Sequence, residues 1–253
     1  RCFIGCKSTI FYLSHKTLLA FSLFFKCLSP NFAPMKSIFY IILLFLFAAS
    51  PLSAQHYVDK FFANIPPQVL SIIDQTSRLD MIDLYNNNMQ AQAENLYGGM
   101  SRIQKKSDFF IDVKLTESST WQMRIMPSAH DTLIVCVHSL TANGTSSTLR
   151  FYKQDWHPVK HDLVMPTFSH FLTSKPHLSA ARIQTLESEL KLLPVKITLD
   201  EKQPLVIFEL STEALTITDK ADAKLMLKPL IFDLLTNKFV EKGEKDVVNN
   251  HNR

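Results

Sequence analysis

The chain predicts an α+β fold: N-terminal helices plus an antiparallel β-meander, then further helix and strand-pair units. Three observations carry this. Between residues 56 and 89 apolar side chains recur at helical spacing, and from Phe109 onward the period switches to two. The breaks between the alternating runs are short and hold turn residues, which makes successive strands antiparallel neighbours. Helices gathered before the strands, instead of alternating with them, argue against a doubly wound parallel sheet.

Taken in order, residues 56–63 place Val58, Phe61 and Phe62 on one helical side. Pro66-Pro67 closes that helix and pre-sets the first turn of a second, short one running to about Asp74. Ser77-Arg78-Leu79-Asp80 reads as a capping box in its Asp form, with Ser77 as the cap. Leu79, Ile82, Tyr85 and Met89 then mark the core side of a third helix, and Met81 and Leu84 widen its apolar surface beyond one stripe. The meander follows. Phe109, Ile111, Val113 and Leu115 alternate with Phe110, Asp112 and Lys114; Trp121, Met123 and Ile125 alternate with Gln122 and Arg124; Leu133, Val135 and Val137 form a third run, and residues 148–154 a fourth. Asn143-Gly144 marks a hairpin turn. Residues 157–176, interrupted by Pro158, Pro166 and Pro176, read as a long loop. Beyond it come a helix over 178–192, a strand pair over 195–199 and 205–210, a helix over 219–227 capped by Thr218, and a last strand pair at 230–234 and 239–240. Residues 55–240 are thus expected to form a single α+β domain, with possible sub-halves 55–160 and 177–240, and residues 241–253 a frayed polar tail.

Residues 35–54 have a different character. Met35 and Lys36 precede an unbroken apolar run from Ile38 to Ala49, then Ser50, Pro51 and small residues up to Ala54, the three-part plan of a secretory signal peptide. The run falls short of the roughly 20 residues that cross a bilayer, so cleavage near Ala54 is expected, with no span in the mature chain. No cysteine sits at the cut to accept a lipid. Residues 1–34, which hold no Met, read as a spurious N-terminal extension of the gene model. The expected location is therefore periplasmic or extracellular.

Export also changes what the composition means. Of 27 basic residues, Arg1, Lys7, Lys16, Lys26 and Lys36 precede Gln55, leaving 22 against 23 acidic ones. A mature chain near neutrality gives no basic footprint for nucleic acid. Cys2, Cys6 and Cys27 fall in the leader and Cys136 stands alone, so no internal disulfide is available and the fold must rest on its apolar core. Gly98, Gly99, Gly144 and Gly243 make no phosphate-cradling pattern, and no cofactor is expected.

Four segments, RLDMIDLYNNNM at 78–89, the Gly98-Gly99 pair before a strand, QDWHP at 154–158 and LIFDLLTNKFV at 230–240, together resemble the domain-of-unknown-function family 3256. That family comprises exported proteins of one order of Gram-negative bacteria. The resemblance implies export and one family domain over most of 55–240, and it supplies no catalytic residues.

Candidate chemistry is sparse. Asp80 and Asp83 fall three apart on one helix, as an acid and base pair would, although acidic residues in a first turn also serve the helix dipole. His157 and His161 suggest metal ligands beside Asp155, Asp162, His170 and His177, but Pro158 between them opposes the helix that would align their rings. Cys136 and His138 share one face of a strand about 7 Å apart, too far for direct proton transfer. No serine-hydrolase, zinc-protease or kinase motif is present. The leading expectation is a non-catalytic domain that binds a protein or envelope ligand, in a groove lined by Tyr85, Tyr97 and Trp156 between the third helix and the sheet. The alternative is a hydrolase or metal-dependent enzyme acting on an envelope or extracellular substrate.

Overall fold

A computed structural model describes residues 57–128, 131–173 and 178–241. Two helices, α1 (Tyr57–Ala63) and α2 (Gln75–Asn86), precede seven strands: β1 (Gln92–Glu94), β2 (Met100–Lys106), β3 (Phe110–Thr116), β4 (Ser119–Met126), β5 (Leu133–Thr141), β6 (Thr145–Tyr152) and β7 (Pro158–Val159). These form one antiparallel sheet in sequence order. A 3-10 turn (Phe168–Phe171) and α3 (Ala180–Leu190) lead to β8 (Val195–Leu199) and β9 (Leu205–Leu210). After α4 (Ile217–Met226), β10 (Leu230–Asp233) and β11 (Lys238–Val240) complete a second antiparallel sheet in the order β11-β10-β9-β8. The fold is α+β, and no helix among the described residues is long and apolar enough to cross a membrane.

Period-two alternation gives the first sheet two apolar faces. Ile111, Val113, Trp121, Met123, Ile125, Ile134 and Cys136 point to one side, where Val58, Phe62, Met81 and Ile82 of the two helices cover them. Phe110, Val135, Val137 and Phe151 point to the other and pack against Ile197, Leu199, Val206, Phe208 and Phe232 of the second sheet. The first sheet is therefore the middle layer, between helices and a second sheet. A smaller cluster joins Leu186 and Leu190 of α3 to Ala223 and Met226 of α4. Arg182 fastens these two helices by donating to Asp219 at 2.5 Å and Asp222 at 2.7 Å.

Several local expectations are corrected. Residues 66–74 form turns, with Val69 and Leu70 both donating to the Pro66 carbonyl, and no second helix. The next helix starts earlier than Ser77. Asp74 is its cap, accepting from the Ser77 backbone N–H at 2.8 Å, so Ser77 is the donor of the capping contact. Its buried side is Arg78, Met81 and Ile82 with Tyr85 half-buried, whereas Leu79 and Met89 are exposed. The Asn- and Gln-rich stretch after it holds β1, and β2 precedes the first strand that the alternation marks. The cap of α4 is Thr216, not Thr218.

Candidate functional site

Seven strands are more than two short helices can cover. Helical cover ends along the sheet's helix-facing side at Ser119, His138, Leu140, Thr148 and Arg150, the last four of which are exposed. A cleft of about 420 Å³ opens there. Its floor is Trp121 and Tyr152, both buried; residues 69–72 form one wall, and Tyr97, 81% exposed, stands at the rim.

The wall and the rim of this cleft are both held by side chains that reach backbone groups. Arg78 donates to the carbonyls of Ile73 (2.5 Å), Ile65 (2.8 Å) and Ala63 (3.3 Å), and so holds the two ends of the 66–72 turn from inside. Asn95 holds the rim. Its Oδ1 accepts from the backbone N–H groups of Tyr97 (3.0 Å) and Gly99 (3.2 Å), and its Nδ2 donates to the Leu115 carbonyl (3.0 Å). Gly98 sits at φ 76, a conformation that side-chain-bearing residues resist. The Leu96 N–H donates to the Ile72 carbonyl at 3.0 Å and joins wall to rim.

The polar groups come from three adjacent strands. Cross-strand pairing sets Trp121 opposite His138, His138 opposite Thr148, and Cys136 opposite Arg150, all on one face. Ser119 Oγ lies 2.8 Å from His138 Nε2. Partial burial, helped by the Arg150 charge, holds the His138 imidazole below its ordinary value, so the ring is neutral at neutral pH. Cys136 is buried in the floor and burial pushes its thiol well above the ordinary range, which leaves it a packing residue and not a nucleophile. A serine bonded to an imidazole is the first pair of a hydrolase triad, but no carboxylate or carbonyl among the described residues orients the second ring nitrogen of His138. Arg150 makes no hydrogen bond or ion pair to a described residue, and no acidic side chain among the described residues lines the cleft. The arrangement presents a cation, a neutral imidazole and hydroxyls above an aromatic floor.

The residues singled out in the sequence are dispersed. Tyr97 rims this cleft, while Trp156 lines an adjoining one of about 580 Å³ that shares Val69, Arg150 and Tyr152 with the first. Trp156 is buried, at φ 66, in the tight turn between β6 and β7. Tyr85 lines neither cleft; its hydroxyl accepts from the Lys106 backbone N–H at 3.1 Å, and its ring lies under the Lys106 ammonium. His157 is exposed and bonded to Asp155 (2.9 Å), whereas the His161 ring stacks on Phe151 with centroids 4.1 Å apart. The two imidazoles are committed to different neighbours. Among the described residues no group of three or more His, Cys, Asp or Glu converges as metal ligands would, and His177 lies outside them. Asp80 and Asp83 line one shallow surface between α2 and β1, with Glu94.

Sequence reasoning missed Ser119, Thr148 and Arg150. The signal was present in the alternation, which puts Arg150 and Thr148 in phase with Tyr152, but the pairing register that brings them to His138 is not written in any one strand.

No curated protein matches the chain. Among solved structures, a domain of an uncharacterized protein from Porphyromonas gingivalis W83 superposes with a TM-score of 0.60 at 22% identity, over 74% of this chain and 98% of that one, a likeness of fold. A family model described as "Protein of unknown function (DUF3256)" matches residues 50–239, and the chain belongs to that family.

Proposed function

We propose that this protein is exported to the periplasm or cell envelope of a Gram-negative bacterium and acts there as a non-catalytic binding domain, with the Tyr97 cleft as its binding surface. The observation that carries the binding reading is the combination of an 81% exposed tyrosine and an arginine without an ion-pair partner among the described residues, over a buried aromatic floor. An exposed aromatic at a concave site is the usual form of a binding anchor, and a core has no use for one placed there. Trp156 in the adjoining cleft extends the same surface, whereas Tyr85, bonded to Lys106, stands apart from it. Export rests on the three-part pattern of residues 35–54.

Two measurements test this. Fractionation with N-terminal sequencing is expected to find a processed chain beginning near Gln55 outside the cytoplasm; a full-length cytosolic chain overturns export. Retention of the purified domain on an envelope fraction is expected to fall on Tyr97→Ala with folding intact, and equal retention of both chains overturns the cleft as the binding surface. The metal-dependent enzyme is decided separately. Stoichiometric zinc that is lost on His157→Ala with His161→Ala would replace the binding reading with that one.

A further inference from the structure

We infer that the Tyr97 cleft takes a small organic acid group, a carboxylate carried on an apolar or aromatic body. The inference rests on the binding reading and adds the chemistry of the ligand.

Among the described residues three arginines of the first sheet, Arg102, Arg124 and Arg150, have no carboxylate within ion-pair range, and of these only Arg150 lines the cleft. The lysines of the sheet and its turns are paired instead: Lys106 faces Asp59, Lys105 faces Glu201, Lys114 faces Glu117 and Lys153 faces Asp131. Arg150 has none among the described residues, although it lies over the floor of a concave site whose lining includes no acid. An arginine in such a place is matched to a planar anion, because the guanidinium fork meets both oxygens of a carboxylate at once.

The neighbours decide between anions. Beside Arg150 the cleft offers the neutral donors and acceptors His138, Ser119 and Thr148, with no second cation. A phosphate, with close to two charges and three strong acceptors, calls for more positive charge than one arginine supplies. A carboxylate needs one arginine and one or two neutral donors, which is what Arg150 with His138, Ser119 and Thr148 presents. The remainder of the lining is Val69, Leu70, Ile72, Leu115, Trp121 and Tyr152, and this apolar wall sets the character of the ligand's body. A cavity of about 420 Å³ lies within the roughly 300–1,000 Å³ of small-molecule sites, enough for an aromatic acid or the last two residues of a peptide.

The test uses the isotope-labelled mature domain and four probes: phenylacetate, phenylacetamide, N-acetyl-alanyl-phenylalanine and its C-terminal amide. Titration of either acid is expected to shift the Arg150 side-chain N–H and the His138 ring signals in a saturable way, with the matching amide at least tenfold weaker. Arg150→Met, which keeps the apolar stem, is expected to remove the preference for acid over amide while the thermal transition stays in place. Saturation by phenylacetate alone assigns the site to free acids; saturation by the dipeptide alone assigns it to peptide ends. Acid and amide binding equally, or neither perturbing the cleft, overturns the carboxylate. The envelope retention of wild type and Tyr97→Ala is measured on the same preparations, so a cleft that holds envelope but ignores the acids loses only this inference.

Discussion

Buried polar side chains do more to shape this protein than its surface charges do. Lys106 and Asp59 are 0% and 1% exposed and meet at 2.6 Å, with Asn86 accepting from the same ammonium at 2.5 Å. Lys106→Met strands the Asp59 carboxylate and is expected to cost about 3–5 kcal/mol, measured by chemical denaturation. Adding Asp59→Leu is expected to recover most of that loss, because Asn86 is exposed and water can take over its contacts. Arg78 is a second case: Arg78→Met leaves three turn carbonyls without their donor, an expected loss of about 2–4 kcal/mol that Arg78→Lys does not restore, since one ammonium cannot span the three acceptors of the fork. Asp112 acts in the opposite sense. It is partly buried between the sheets with only Oδ2 bonded, to Gln122, and burial raises its carboxyl above the ordinary 3.8. A raised acid destabilises the fold once ionised, so its penalty grows as pH rises from 3.8 through the folded value and is complete above it. Asp112→Asn is therefore expected to raise the melting temperature at pH 7 and to leave it unchanged at pH 3, and equal shifts at both pH values would rule out ionisation as the cause.

At the scale of elements, a β-bulge explains what the sequence concealed. Pairing runs Ile103 to Val113 and then Lys105 to Asp112, so Gln104 is the extra residue, and the phase of β2 resets to bring Lys106 onto the face of Ser101 and Ile103. Strands β3–β6 and β8–β11 were legible because short runs rich in β-forming residues, several of them alternating, lie between turn residues. By contrast, β2 buries a serine and a lysine and breaks phase in the middle, which hides it from any apolar count. The same blindness shifted α2. Its inward residues follow the spacing Arg78, Met81, Ile82, Tyr85, and taking arginine for an outward residue selects Leu79 and Met89 instead. Deletion of Gln104 removes the bulge and leaves Ile103, Lys105 and Lys106 in regular alternation against the same partners, so the Lys106–Asp59 pair is expected to survive and the loss of stability to stay well below that of Lys106→Met; a loss as large as that of Lys106→Met would show that the pair depends on the bulge itself. The cleft was half legible: exposed Tyr97 could be named from one stretch, whereas Arg150 and His138 required the pairing of β5 with β6.

At the scale of the whole molecule, the two halves suggested by the 157–176 loop share a core. Phe110, Val135, Val137 and Phe151 of the first sheet find their cover in Ile197, Leu199, Val206, Phe208 and Phe232 of the second, and Gln122 reaches across to accept from the Leu199 N–H at 2.9 Å. The far ends are tied as well, since Thr145 donates its N–H to Ser211 Oγ at 2.8 Å and its hydroxyl to Glu213 at 2.9 Å. A sheet stripped of that cover would present four large apolar side chains to water, where each fully buried one contributes roughly 1.5–3 kcal/mol. Residues 55–160 expressed alone are accordingly expected to aggregate or bind hydrophobic dyes, and 177–240 to remain unfolded. In the intact protein the backbone amides of β4 and β9 should then exchange through one global opening, with equal free energies of protection and equal denaturant slopes. Protection of β4 that outlasts β9 by several kcal/mol, or a cooperative unfolding transition for 55–160 alone, would show that the helix-covered face suffices to hold the first sheet. The second sheet would in that case be a cover added to a self-sufficient domain, and the Tyr97 cleft, which is built wholly from residues before 160, would survive without it.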